Sequence, residues 1–111
     1  MFSRPYSNRK DRAIDTLSSK RRAELRSQAH SLKPILHIGK EGVTVAAIRA
    51  VRNAFNTREL LKVKVLEAAP ESTRDTAEAL AREIEDAHVI QVIGRTIVLY
   101  RPRLERADPH R

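Results

Sequence analysis

Two glycines with a lysine between them are the residues of this chain best suited to contacting a ligand. Gly39 and Gly42 stand three apart in the stretch PILHIGKEGVT, and the whole chain of 111 residues has only three glycines. Glycine permits a positive φ and lets a ligand come close to the backbone. Lys40 adds a mobile positive charge, and a predicted helix starts just after the pair. The pattern is typical of a phosphate-binding turn, but a plain strand-to-helix turn would have the same sequence.

Other kinds of chemical site find little support in the sequence. The loop lacks the GK[ST] ending of a P-loop and the G-x-G-x-x-G of a dinucleotide site, so we expect no cofactor. The serines have no histidine and acid in a pattern that indicates a nucleophile, so we expect no enzyme. The chain has no cysteine, and its histidines lack the spacing of metal ligands, so we expect no metal site. These histidines are His30, His37, His88 and His110.

The charge distribution favours a polyanionic partner. The net charge is +8. Residues 1–34 carry nine basic and three acidic side chains, whereas residues 35–100 carry nine of each. Basic terminal segments of this kind favour nucleic acid first and an anionic membrane surface second, while a solubilising role is the plain alternative. No apolar run is long enough to cross a bilayer, and the first residues lack the apolar core of a secretory signal. We therefore expect a cytoplasmic protein that does not enter the membrane.

Apolar periodicity predicts three helices and four strands in the order α-β-α-β-α-β-β. Each helix has a serine or threonine N-cap, at Ser18, Thr44 and Ser72. The second helix is expected to bury a stripe of five apolar residues. They are Val45, Ile48, Val51, Ala54 and Phe55. The strands are ILHI, LLKVKVL, HVIQVI and TIVLY, and the Gly94-Arg95 pair between the last two predicts a two-residue type II′ hairpin.

The second strand predicts how the layers are arranged. Its apolar residues alternate with Lys62 and Lys64, which gives one buried and one wet face. We therefore expect helices on one face of the sheet only, in a two-layer α/β sandwich with a mixed four-stranded sheet. Residues 17–102 should form this domain, between a basic, disordered extension at 1–16 and a polar tail at 103–111.

Three separated blocks of sequence resemble the CRM domain, named for chloroplast RNA splicing and ribosome maturation. They are LSSKRRAELRSQAHSLKPILHIGKEGVT, RELLKVKVL and VIQVIGRTIVLYRP, in the order and spacing of the family. A short chain with one copy is similar to the bacterial stand-alone, YhbY-like members. The resemblance implies a fold similar to the C-terminal domain of translation initiation factor three. It also implies RNA binding through the G-x-x-G loop and association with precursors of the large ribosomal subunit.

The expected RNA-binding residues are the loop and the basic side chains thought to lie near it. They are Gly39, Lys40, Glu41, Gly42, Arg21, Arg22, Lys33, Lys62, Lys64 and Arg95. Several features depart from the family pattern, among them Asn56-Thr57 before the second strand and the N-terminal extension. Glu41 places a negative charge in the loop, which should weaken a phosphate contact, and the third helix ends in REIEDAHV, without the glycine that relatives often have.

The sequence leaves two other partners open. One is a different structured RNA, such as an intron or a small RNA. The other is an acidic protein, for which this chain would be an interaction module with basic ends. We expect a monomer, since no self-pairing surface is evident from the sequence.

Overall fold

Three helices and four strands follow one another in the predicted order. The structure is a computed structural model that describes residues 17–103. The predicted extension at 1–16 and residues 104–111 of the predicted tail lie outside the described residues. The elements are α1 (Ser19–His30), β1 (Pro34–Ile38), α2 (Val45–Ala54), β2 (Leu60–Val65), α3 (Thr73–Glu83), β3 (His88–Ile93) and β4 (Thr96–Tyr100).

Each helix begins at the predicted cap. A hydroxyl oxygen accepts a hydrogen bond from the backbone N–H three residues further on, which satisfies one of the free N–H groups of the first turn. The three pairs are Ser18 with Arg21, Thr44 with Ala47 and Ser72 with Asp75, each at 3.0 Å. Short polar residues thus fix where each helix starts.

The four strands form one mixed sheet in the order β1-β2-β4-β3. β1 and β2 are parallel, whereas the other two neighbouring pairs are antiparallel. The hairpin between β3 and β4 has the predicted two-residue loop. Gly94 has a φ of +60°, while Arg95 is not among the residues with positive φ. That combination fits the predicted type II′ turn, whose first position favours glycine.

The larger core lies between the sheet and the helices α2 and α3. The alternating residues Leu61, Val63 and Val65 of β2 are buried there, as the sequence predicts. Phe55 from the end of α2 and Leu80 from α3 are fully buried against them. This layer gives the sheet a rigid base for the loops at its ends.

Helix α1 packs on the opposite face of the sheet, which corrects one part of the predicted architecture. Its two buried residues, Leu25 and Ala29, form a second core with residues of β3 and β4. These are Ile90, Val98 and Tyr100. The prediction placed all helices on one face because only the lysines of β2 were considered, whereas the other face of β4 is apolar. The α/β class, the element order and the mixed four-stranded sheet are confirmed.

Two local features of the helices also differ from expectation. Val45 was predicted in the buried stripe of α2, but 71% of it is exposed. It precedes the buried Val51 by six residues, which places it about 120° around the helix from that stripe, and Ala47 takes the core position instead. After α3, Asp86 takes the positive φ of 64° that glycine would adopt more easily.

Candidate functional site

The glycine pair forms a tight turn between β1 and α2. The N–H of Gly42 donates to the carbonyl of Gly39 at 2.9 Å. Gly42 has a φ of +72°, and a Cβ added there would lie 3.1 Å from Cγ of Pro70. Both the backbone conformation and the close approach of the proline therefore favour glycine at position 42.

Gly39 is under much weaker constraint. Its φ is not positive, and an added Cβ would meet only Cδ1 of Leu66, at an ordinary contact distance of 3.7 Å. The local fold would thus accept alanine here. The two glycines of the motif are therefore not equivalent. Gly42 supplies the positive φ of the turn, and Gly39 leaves the surface of the turn without a side chain at that position.

The turn delivers the chain to the N-terminal end of α2. Lys40 and Glu41 are exposed at its tip. Thr44 is the N-cap of α2, and its hydroxyl accepts a hydrogen bond from the N–H of Ala47. The first turn of α2 contains no acidic side chain. No carboxylate in the first turn of α2 therefore offsets the positive end of the helix dipole.

The sheet brings the Gly94-Arg95 hairpin to the same end as the glycine turn. Ile38, the last residue of β1, pairs with Val65 of β2. The N–H of Val65 donates to the carbonyl of Arg95 at 2.7 Å, and the N–H of Leu66 donates to the carbonyl of Ile38 at 2.8 Å. Lys40 and Arg95 are thus carried by neighbouring loops at one end of the molecule.

Lys64 lies one step inside this end, on the face of the sheet where α1 packs. It pairs with His37 of β1 and with Thr96 of β4. His37 is exposed and Lys64 is half-buried. His37 was not among the predicted site residues. The sequence does contain a signal for it. His37 precedes the apolar Ile38 in a short strand, and alternation along the strand places its imidazole on the face opposite to Ile38.

Lys62 has a structural role that the sequence did not indicate. Its Nζ donates to the carbonyl of Leu32 at 3.0 Å, with a longer contact of 3.5 Å to the carbonyl of His30. These carbonyls lie at and just beyond the C-terminal end of α1, where a cation is favoured by the helix dipole. Lys62 therefore links the C-terminal end of α1 to β2 through these hydrogen bonds.

The remaining predicted basic residues lie away from the glycine turn. The guanidinium of Arg21 lies 5.8 Å from the ring centre of Tyr100 and 3.3 Å from a carboxylate oxygen of Glu24. Hydrogen bonding by Tyr100, with a smaller contribution from Glu24, raises the pKa of Arg21 above its ordinary value. Tyr100 pairs with Leu60 at the opposite end of the sheet.

Arg22 and Lys33 are also not brought to the turn by the strand register. Arg22 follows Arg21 in α1. Lys33 precedes Pro34, which pairs with Lys62, three residues before the end of β2. Of the ten predicted residues, the structure gathers six at one end: Gly39, Lys40, Glu41, Gly42, Lys64 and Arg95.

Two other kinds of site are absent from residues 17–103. No group of three or more histidine, cysteine and acidic side chains in this range could hold a metal ion. No helix in the same range is long and apolar enough to cross a membrane.

The fold and the turn together define a small α/β domain with a glycine turn and basic loops at one end of a mixed sheet. The family model for the CRS1 / YhbY (CRM) domain matches residues 17–101. The chain belongs to this family, and the resemblance noted in its sequence is confirmed.

Several known proteins are similar to this chain over most of their length. Probable RNA-binding protein YqeI of Bacillus subtilis is 43% identical, over 80% of this chain and 92% of its own. An RNA-binding protein of Haemophilus influenzae is 41% identical, over 83% of this chain and 92% of its own length. The solution structure of a hypothetical Staphylococcus aureus protein, described as a candidate RNA binder, has a TM-score of 0.65 and 36% identity. That match covers 77% of this chain and 88% of the other.

Proposed function

We propose that this protein binds RNA and that the glycine turn is its central contact. Membership of the CRM family and the names of its relatives support RNA as the ligand. The observation that carries the choice of surface is the Gly39–Gly42 turn, because it leads directly into the N-terminal end of α2, whose first turn has no acidic side chain. No catalytic step is proposed.

In this proposal a phosphate lies against the turn and the N-terminal end of α2. Backbone N–H groups and the positive end of the helix dipole favour an anion there. Lys40, Lys64 and Arg95 contribute charge from the same end of the sheet. Arg21, Arg22 and Lys33 reach RNA that extends past α1, and the basic termini add affinity that does not depend on sequence. Lys62 is engaged with α1 and contributes mainly to stability.

The RNA that we propose is ribosomal RNA within precursors of the large subunit, in the cytoplasm. The family resemblance supports this target over an intron or a small RNA. The protein-interaction alternative would require an acidic partner, and RNase treatment separates the two because only an RNA-tethered complex falls apart.

A sucrose-gradient profile of cell lysate, with and without RNase, tests this function. The wild-type chain should migrate with large-subunit or precursor particles and return to the top after RNase. Gly39→Asp/Gly42→Asp, which places two carboxylates in the turn, should lose this migration. Because position 42 is strained, Lys40→Glu serves as a second turn variant, and Arg82→Glu on α3 is its charge-matched control.

Two results would contradict the proposal in different ways. A wild-type protein that stays at the top of the gradient would remove the ribosomal target. Turn variants that migrate as the wild type does would instead remove the turn as the contact, and crosslinked RNA would then identify the true surface.

A further inference from the structure

Four side chains form a row across all four strands beside the glycine turn. Ile93 of β3 pairs with Thr96 of β4, Thr96 pairs with Lys64 of β2, and Lys64 pairs with His37 of β1. Directly paired residues point to the same face of a sheet. Since strands lie about 4.8 Å apart, the row is roughly 14 Å long. We call these four residues the cross-strand row.

Helix α1 leaves the cross-strand row uncovered. The helix ends at His30, and Lys62 fixes that end by donating to the carbonyl of Leu32. Beneath α1, Val98 and Tyr100 are buried, at 1% and 7% exposure. In the row, Ile93 is 58% exposed. The same face of the sheet is thus closed at one end and open at the end that carries the glycine turn.

The cross-strand row itself is suited to an anion and not to a cation. None of the four described strands contains an Asp or Glu. Lys40 and Arg95 flank the row from the two neighbouring loops. The acidic side chains are concentrated in residues 67–86, which carry seven of them and only two basic ones. Five of these seven lie in or after α3, which packs on the other face of the sheet, whereas Glu67 and Glu71 lie in the loop before α3, whose Pro70 approaches Gly42.

We infer that unpaired RNA nucleotides lie across the cross-strand row, next to the phosphate at the glycine turn. This inference rests on the proposed RNA-binding function and names the kind of RNA that fits. A base packs on the exposed side chain of Ile93 and meets the hydroxyl of Thr96. Lys64 and His37 donate hydrogen bonds to the backbone of the same strand.

The requirement for unpaired nucleotides follows from the chemistry of the row. A hydrophobic side chain such as Ile93 can contact the flat face of a base only when that base is not stacked inside a duplex. A-form RNA instead presents phosphates and 2′-hydroxyls, which can meet Lys64 but not Ile93. Binding of single-stranded RNA should therefore depend on Ile93 as well as Lys64, whereas binding of duplex RNA should not depend on Ile93.

Fluorescence anisotropy with the full chain tests this assignment. The two probes are a labelled single-stranded RNA of mixed sequence and the same RNA annealed to its complement. Ile93→Ser should weaken binding to the single strand about three- to five-fold without changing its salt dependence, and should leave duplex binding unchanged. Lys64→Gln should reduce the slope of log K against log salt by about 0.7 for the single strand. Arg82→Gln on α3, with the same charge change, is the control.

Ultraviolet crosslinking of the wild-type chain to the single strand gives a second readout that needs no variant. The row predicts base adducts on the tryptic peptide that spans residues 83–95, which contains Ile93. If the wild type binds but Ile93→Ser and Lys64→Gln bind as it does, or if the adducts fall only on other peptides, the row is not the contact and RNA binding stands. If the wild type binds neither RNA, the proposed function fails and this inference fails with it.

Discussion

At the scale of single residues, the two glycines of the motif differ in how much the turn depends on them. This difference should appear in the free energy of unfolding of alanine variants. Gly42→Ala should lower the free energy of unfolding by about 1–3 kcal/mol, because alanine strains the positive φ and crowds Pro70. Gly39→Ala should change it by less than about 0.5 kcal/mol. Urea denaturation of both variants checks this. Equal losses would mean that the turn differs from the one described.

The neighbouring lysines of β2 provide a second matched pair. Lys62→Met removes the ammonium that binds the end of α1, so it should cost about 0.5–1.5 kcal/mol of stability. The side chain of Lys64 makes no hydrogen bond or ion pair within residues 17–103, so Lys64→Met should leave stability nearly unchanged.

RNA affinity should respond to the two lysines in the opposite order. Thermal melts and RNA-binding curves of the two variants together check the assignment. A larger loss of affinity from Lys62→Met than from Lys64→Met would contradict the roles given to them.

At the scale of elements, the sequence predicts individual helices and strands well because their signals are local. The caps at Ser18, Thr44 and Ser72 and the Gly94 hairpin depend on residues a few positions apart. The placement of α1 was not predicted, since it depends on which strands lie beside β2. Only the sheet order shows that the apolar alternate face of β4 has to be covered.

The docking of α1 depends on few buried side chains, so it should be sensitive to one of them. Leu25→Ala removes one of the two buried residues of this helix and should cost about 2–4 kcal/mol. Arg26→Ala, at the exposed neighbouring position, is the control and should cost little. Hydrogen exchange should show faster exchange of α1 amides in the first variant only. Similar exchange in both would mean that the second core contributes little.

At the scale of the whole molecule, acidic side chains lie both at the glycine turn and across the sheet from the cross-strand row. Glu41 sits in the glycine turn, whereas Glu78 lies on α3 at the other face. Glu41→Gln should raise RNA affinity about two- to five-fold, because it removes a repulsive charge next to the phosphate. Glu78→Gln makes the same charge change on α3, outside the turn and across the sheet from the row, where salt screens its effect on RNA bound at the turn.

Anisotropy at physiological salt compares the two variants. Glu78→Gln should alter the affinity by less than about 1.5-fold. An equal gain from both variants would indicate that RNA is attracted by net charge alone and not by the end of the sheet that carries the turn.

The candidate site was only partly predictable for the same reason as the fold. The G-x-x-G motif is local, so the sequence alone identifies the turn, whereas its role as the RNA contact stays a prediction. The positions of Arg21 and Lys62 relative to the turn depend on where α1 lies, which the sequence does not show. His37 and Ile93 become neighbours of Lys64 and Thr96 only through strand pairing. Composition indicates that basic side chains are abundant, but not which of them share a surface.

The two outer strands of the sheet also bear on how the chain behaves at high concentration. β1 begins with Pro34, which has no N–H to donate, and its register shifts before His37. β3 carries a register shift between Val89 and Gln91. A strand from a second molecule laid along either edge would find an interrupted ladder of hydrogen bonds. Both open edges are therefore poor templates for the strand addition that leads to aggregation.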